Sequence, residues 1–261
     1  MNIGIVLNCY PCPLAEQITL MKKYGFSATF AMSDRADLSD AVSACREAGI
    51  EMESFHAPAR DINLMWDATD AGDARLCSYF ADIDACRLHG VPVLAMHPSH
   101  LYPAPRVNDR GLMRFERLFA YAKENGVTVA IENVRTIGNI AVLLEEFPDA
   151  AFCWDVGHES AYTAGREYMP LFGHRIAALH LHDNRGIDNN DEHLIPFDGR
   201  INFDRVAKSL AEANYRKSLM LELHWYSHSQ YGRTDAETYY ARAARAATVV
   251  AEKVEAFRSM L

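Results

Sequence analysis

A single (β/α)8 barrel spanning residues 1–261, an α/β fold, is the architecture this sequence predicts, and three observations carry it. Four segments share one pattern: KKYGFSATF around Gly25, REAGIEMES around Gly49, RLHGVPVLA around Gly90 and KENGVTVAI around Gly126. Each has basic residues, then glycine, then a short apolar run, which reads as a helix end, a C′ glycine able to take positive φ, and a buried strand. Eight apolar runs alternate with amphipathic stretches, as in a parallel sheet with right-handed crossovers. Eight units in 261 residues allot about 33 residues to each, the size of one βα repeat. A doubly wound open sheet is the alternative. It usually carries a Gly-rich phosphate loop after its first strand, where this chain reads NCYPCP.

The eight strands are expected at 3–8, 28–32, 51–55, 93–96, 128–131, 151–154, 177–181 and 219–223. They are apolar on both faces, as parallel strands covered by helices should be. Helix starts are signalled by Asp37 or Ser39, Asp70, Asn108 and Asp235, residues whose short polar side chains cap free backbone N–H groups. The last helix, from about Asp235 to Met260, closes the chain. No linker or low-complexity stretch marks a second domain.

Composition narrows the function. The chain has 26 basic and 35 acidic residues, a net charge of −9, with 49 % hydrophobic and 23 % charged residues. That balance excludes a disordered or fibrous chain. No apolar run approaches the ~18 residues needed to cross a bilayer. The start, MNIGIVLNCYP, lacks the basic region of a signal peptide. The six cysteines have no framework spacing, so a reducing cytoplasm is the expected compartment. Cys9-Tyr-Pro-Cys12 reads either as a redox pair activated by a helix N-terminus or as two small apolar residues in a strand-to-helix turn, and the turn is preferred. The acidic balance argues against a broad nucleic-acid surface.

In a barrel the chemistry sits where the strands end. From the third strand onward those ends read Ser54-Phe55-His56, Met96-His97-Pro98, Ile131-Glu132-Asn133, Trp154-Asp155-Val156-Gly157-His158, His180-Leu181-His182-Asp183 and Leu221-Glu222-Leu223-His224. Asp191 and His193 follow in the loop after the seventh strand. One such residue alone would be an ordinary hydrogen-bonded group. Six consecutive strands ending in His, Asp or Glu gather at one mouth. Carboxylates crowded there would repel one another and take up protons, a conflict that a divalent cation removes. Mixed carboxylate and imidazole ligands suit Mn²⁺ or Zn²⁺ first, then Co²⁺, Fe²⁺ or Mg²⁺.

The motifs AIENV, CWDVGH, LHLHD and LELHW resemble the strand ends of the xylose isomerase-like TIM barrels. That superfamily includes ketose 3-epimerases, hydroxypyruvate isomerases, inosose dehydratases and isomerases, and endonuclease IV. The resemblance covers nearly the whole chain, with about one short motif per unit. It implies Glu132, Asp155, His180 and Glu222 as metal ligands, with Glu132 and Glu222 also moving protons. It implies His158 and Arg185 as groups holding substrate oxygens. His180 is preferred to His182 because the family's motif places its ligand first; His182 is then a solvated or supporting residue.

Three functions compete. The first is isomerisation or epimerisation of a small sugar or hydroxy-keto compound through an enediolate, one glutamate removing a proton and the other returning it. Trp66 would pack on the sugar's apolar face or, equally, on the barrel's outer shell. An inosose-type dehydratase shares the first step. The second is an endonuclease IV-like zinc phosphodiesterase. For it, His56, His97, His158, Asp191 and His193 resemble extra ligands, giving nine positions for three ions; related sugar enzymes use such histidines to bind substrate. The charge of −9 favours a small polyhydroxy substrate over duplex DNA. The third is a non-catalytic metal-binding scaffold, against which the retention of both glutamates argues. Tyr239 and Tyr240 read as barrel packing or an oligomer contact; His224, Tyr226 and His228 as rim residues; His89, His100 and His174 as surface or structural groups.

Overall fold

The structure, a computed structural model, describes residues 1–261 except 164, 165, 188, 228 and 230. His228, expected at the rim, lies outside the described residues. The strands are β1 (Ile3–Ile5), β2 (Ala28–Met32), β3 (Glu51–His56), β4 (Val93–Met96), β5 (Thr128–Glu132), β6 (Ala151–Asp155), β7 (Ile176–His180) and β8 (Leu219–Leu221). They form one parallel sheet in the order β7-β6-β5-β4-β3-β2-β1-β8. The ring closes through a parallel bridge of Leu181 with Leu221: Leu181 N–H donates to Met220 at 2.8 Å and Glu222 N–H to Leu181 at 3.1 Å. The predicted (β/α)8 barrel is therefore the observed fold.

The helices are α1 (Leu14–Lys23), α2 (Leu38–Ala48), α3 (Ala71–His89), α4 (Asp109–Glu124), α5 (Ile137–Glu146), α6 (Val156–Tyr162), α7 (Met169–Phe172), α8 (Phe203–Glu212) and α9 (Ala236–Arg258). Asn108 and Asp235 cap α4 and α9, accepting from Gly111 N–H at 3.0 Å and Thr238 N–H at 2.7 Å. Asp37 and Asp70 occupy the N-cap positions of α2 and α3 without a side-chain hydrogen bond. Gly25, Gly49, Gly90 and Gly126 all have positive φ, 79°, 73°, 70° and 69°, which ends each helix where the repeat predicts. Tyr239 and Tyr240 are buried in the barrel's own packing. Among the described residues no helix is long and apolar enough to cross a membrane.

β2 and β4 match the sequence-based expectation, and the other six strands differ from it by a residue or more. β3, β5 and β6 each run one residue further, taking in His56, Glu132 and Asp155 themselves. β7 starts and ends one residue earlier than expected. β1 stops at Ile5, although Val6 and Leu7 N–H still donate to Leu221 and Phe30, because Asn8 turns the chain at φ 65°. β8 stops at Leu221, where Glu222 N–H crosses the closing seam.

Side chains alternate along each strand, and the two faces differ in size. Val93, Ala95, Ala130, Ala151, Cys153 and Ala178 form a small cluster inside the barrel. Leu94, Met96, Val129, Ile131, Phe152, Trp154, Leu179 and Leu181 belong to the larger core beneath the helices. Fully burying a side chain such as Leu94 or Phe152 contributes about 1.5–3 kcal/mol. The inward parity then carries His97, Glu132, Asp155, His180 and His182 to the mouth. The cysteines are free, and burial pushes the Cys9 thiol up to about 12 and Cys12 to about 11, opposite to an activated redox pair.

Candidate metal centre

Two local devices set the frame. Asn133, just past β5, clasps Asp155 at the end of β6: its side-chain N–H donates to the Asp155 carbonyl, and its amide oxygen accepts from Asp155 N–H, both at 2.7 Å. Asp155 caps α6, accepting from His158 N–H at 2.6 Å, so CWDVGH turns from strand to helix with Asp155 and His158 on the same side. A third device holds the long loop after β7. Buried Asp183 accepts from the N–H groups of Asn184, Phe197, Gly199 and Ile201 at 2.8–3.0 Å. That loop carries Asp191 and His193.

Nine of the sequence-derived positions meet at the mouth in three groups, each with its ligating atoms within 4.8 Å of one another. Glu132, Asp155, His180 and Glu222 form one. His56 and His97 join Glu132 in a second, and His158, Asp191 and His193 form the third. Glu132 is at the centre, 1 % exposed. One oxygen lies 2.9 Å from His56 Nε2 and 3.2 Å from His180 Nδ1; the other lies 2.9 Å from His158 Nδ1 and 3.4 Å from His97 Nε2. The Phe30 ring stacks on His180 at 4.7 Å and supports it from below. Asp191, His97 and Glu222, at 16 %, 15 % and 13 % exposure, are the most exposed of the nine.

The histidine orientations fit a divalent cation. His56, His158 and His193 each turn Nδ1 to a backbone carbonyl, of Ala57, Asn133 and Glu222, at 2.7, 3.0 and 3.0 Å. A carbonyl only accepts, so Nδ1 carries the proton and Nε2 has the free lone pair. Each Nε2 then faces a carboxylate: His56 that of Glu132 at 2.9 Å, His158 and His193 that of Asp191 at 3.1 and 2.8 Å. Lone pair against carboxylate repels unless a proton or metal ion lies between them. Glu132 Oε1, Glu222 Oε2, Asp191 Oδ1 and His180 Nε2 are also buried without a hydrogen bond. In the ion-free protein, protons take the cation's place. Burial opposes the charged forms of His158 and His193, but Asp155 and Asp191 hold His158 well above its ordinary value and Asp191 holds His193 at about 9. Against burial, His158 and His182 keep the carboxyl of Asp155 at about 2, and His158 and His193 keep that of Asp191 well below its ordinary range.

Other expected site residues lie differently. Trp66 is not presented at the mouth: it is 4 % exposed, donates its indole N–H to the Pro98 carbonyl at 2.7 Å and faces Phe115 and Gly111. The outer-shell reading of Trp66 is therefore the observed one. Arg185 is 46 % exposed and paired with Glu192, its Nε donating at 2.8 Å, so it would have to leave that partner to hold a substrate oxygen. His182 is not solvated: it is fully buried and its Nε2 lies 3.0 Å from Asp155 Oδ1, orienting that carboxylate. Sequence reasoning missed three contributors. Asp183 anchors the loop, a role hinted at by the long polar connection after LHLHD. His100 is drawn to the mouth, its ring 6.5 Å from that of His97. Arg135 covers the Tyr162 ring at 3.9 Å. Nothing in the periodicity of the chain singled out the last two.

Comparison with known proteins agrees with this fold. The sequence model described as xylose isomerase-like TIM barrel matches residues 18–250. The uncharacterized protein y4fM of Sinorhizobium fredii is 30 % identical over 156 residues, 54 % of this chain and 50 % of that protein, so the match spans half of its length. D-psicose 3-epimerase from Clostridium cellulolyticum H10, solved with D-tagatose, superposes with TM-score 0.79 at 13 % identity, covering 97 % of this chain and 99 % of that one. The IOLI protein with a bound zinc atom superposes with TM-score 0.74 at 16 % identity, covering 98 % and 99 %. At these identities the superpositions establish the fold. The chain belongs to the xylose isomerase-like TIM barrel family.

Proposed function

We propose that this member of the family is a divalent-metal-dependent isomerase or epimerase acting on a small sugar or related hydroxy-keto compound. The observation that carries the reading is the tetrad Glu132, Asp155, His180 and Glu222, whose ligating atoms lie within 4.8 Å of one another at the barrel mouth. Its mixed donors match Mn²⁺ or Zn²⁺, with Co²⁺ and Mg²⁺ next. The epimerase and the zinc-bearing protein among its structural relatives support the class. When bound, the cation polarises a carbonyl and acidifies the neighbouring C–H.

The residues themselves divide the work. Glu222 reaches the opening at 13 % exposure, and its Oε2 has no hydrogen bond. It is the carboxylate placed to remove a proton from one carbon and return it to the next, a contribution of about 10²–10⁴-fold. Glu132 faces four imidazoles and is sealed from solvent, so its first role is to hold ligands and orient rings. In an epimerisation it is the second carboxylate, supplying the proton across a flat intermediate, as the two-glutamate scheme requires. His97 and His158 line the approach and hold substrate oxygens.

A second reading, phosphoester hydrolysis at a multinuclear centre, is favoured by one observation: His56 and His97 flank Glu132, while His158, Asp191 and His193 form a group of their own. The net charge of −9 speaks against duplex DNA as its substrate. One experiment separates the two. Purified protein loaded with Mn²⁺ or Zn²⁺ is incubated in D₂O with ketoses, inososes and hydroxypyruvate, and exchange of the α-hydrogen is followed by NMR. Exchange supports the isomerase; loss of a β-hydroxyl after exchange identifies a dehydratase. No exchange on any substrate, with three ions bound per chain and hydrolysis of a phosphodiester, overturns it in favour of the hydrolase.

A further inference from the structure

We propose that Arg135 and His100 form an anion subsite at the rim of the metal centre, which takes a phosphate or carboxylate terminus of the substrate. Arg135 lies three residues beyond Glu132, past the end of β5. Its guanidinium sits 3.9 Å over the Tyr162 ring, and that ring lies 5.1 Å from the ring of His158. It is thus two ring contacts from the ligand groups. Stacking occupies the face of a guanidinium and leaves its N–H donors free in the plane. Among the described residues those donors make no hydrogen bond and no ion pair. Arg185, the other arginine near the mouth, is engaged with Glu192.

His100 supplies the second side. Its main chain is pinned by Asn63, which donates to the His100 carbonyl and accepts from its N–H, both at 2.8 Å. The ring makes no hydrogen bond among the described residues and faces His97. A continuous row of rings joins the two residues: Arg135 covers Tyr162, Tyr162 faces His158, His158 lies 5.7 Å from His97, and His97 faces His100. Burial lowers the pKa of His100, and the charges of His97 and Arg135 add to that effect. Both residues are half-buried. A partly desolvated guanidinium whose N–H donors have no acceptor has lost hydration in its plane that stacking on one ring face does not replace. A terminal oxyanion supplies two parallel acceptors that match its fork, which a hydroxyl cannot. Reacting carbons at the tetrad and an anionic terminus at Arg135 describe a short phosphorylated or carboxylated polyhydroxy compound.

The inference takes from the proposed function only which end of the substrate reacts, and its test needs no turnover. Metal-stripped, ¹⁵N-labelled full-length protein is titrated with inorganic phosphate and, separately, with acetate. The readouts are the Arg135 Nε–Hε resonance and the ³¹P line width. A saturable shift is expected. Arg135→Met should weaken phosphate binding about tenfold or more, the worth of a charge-assisted hydrogen bond. Arg135→Lys should fall between, since it keeps the charge and loses the fork. Tighter phosphate than acetate binding assigns the subsite to a phosphorylated substrate, and the reverse to a carboxylate; either supports it. An Arg135 resonance that phosphate leaves unmoved, or Arg135→Met binding phosphate as tightly as the wild type, overturns the proposal. Such a failure would leave the D₂O exchange result standing, and the converse also holds.

Discussion

Replacing Gly157 by alanine puts a methyl group where the structure has no room. A Cβ built on Gly157 would lie 1.8 Å from His182 Cε1, 2.2 Å from Nδ1 and 2.4 Å from Nε2. Those atoms belong to a rigid, fully buried ring, so no flexible side-chain end can yield. His182 must move, and its contact with Asp155, 3.0 Å to Oδ1, goes with it. Overpacking of this kind costs about 1–3 kcal/mol. The lost charge-assisted hydrogen bond costs about 1.5–3 kcal/mol. The expected destabilisation is therefore about 2.5–6 kcal/mol, a large part of the ~5–15 kcal/mol of an ordinary domain. The sign is informative, because Gly→Ala inside a helix normally stabilises by roughly 0.5–1 kcal/mol. Asp155 would also lose its orienting partner, which lowers metal affinity about 10–100-fold. Urea denaturation and a Zn²⁺ or Mn²⁺ titration measure the two effects. The double variant Gly157→Ala with His182→Ala makes room for the methyl group, so it should be less destabilised than the sum of the singles. A Gly157→Ala protein within about 1 kcal/mol of wild type, with unchanged metal affinity, would refute the packing argument.

Two further outcomes follow from the centre's electrostatics. Glu132→Gln keeps the volume but removes the charge that four imidazoles face, so the ion-free protein should lose about 3–5 kcal/mol in denaturation and metal affinity should fall about 100-fold or more; near-wild-type affinity would remove Glu132 from the ligand set. The second outcome concerns pH. His193 is raised from its ordinary 6.5 to about 9, burial opposing and Asp191 prevailing. Its contribution to ion-free stability is thus complete below about pH 6.5 and is lost as pH rises to about 9. Asp155 is lowered from 3.8 to about 2, so its contribution is present above 3.8 and lost on acidification towards 2. Metal binding near pH 7.5 should then release protons from imidazolium groups, visible as calorimetric heats that depend on the buffer's ionisation enthalpy. Buffer-independent heats would show that these histidines hold no protons to displace.

Much of this protein is legible in its sequence because βα repetition is a local property. A basic helix end, a C′ glycine and an apolar run recur at Gly25, Gly49, Gly90 and Gly126, and each step depends only on neighbouring residues. Strand parity is equally local: once Glu132 and Asp155 follow inward-facing Ala130 and Cys153, their direction is fixed by the two-residue period. The sequence therefore determined the barrel, the mouth and which His, Asp and Glu side chains gather there from the strand ends. What it could not determine is which neighbours those side chains meet around the ring. Whether Trp66 faces a substrate or Phe115, whether Arg185 is free or paired with Glu192, and whether Arg135 has an acceptor depend on loops of different lengths folding over one another. The same holds for His182 lying against Gly157, two residues 25 positions apart in the chain, whose contact exists only because β6 and β7 are adjacent in the closed ring. Periodicity reports the face a residue occupies, while close packing across the ring decides what touches that face, and only the tertiary structure sets that packing.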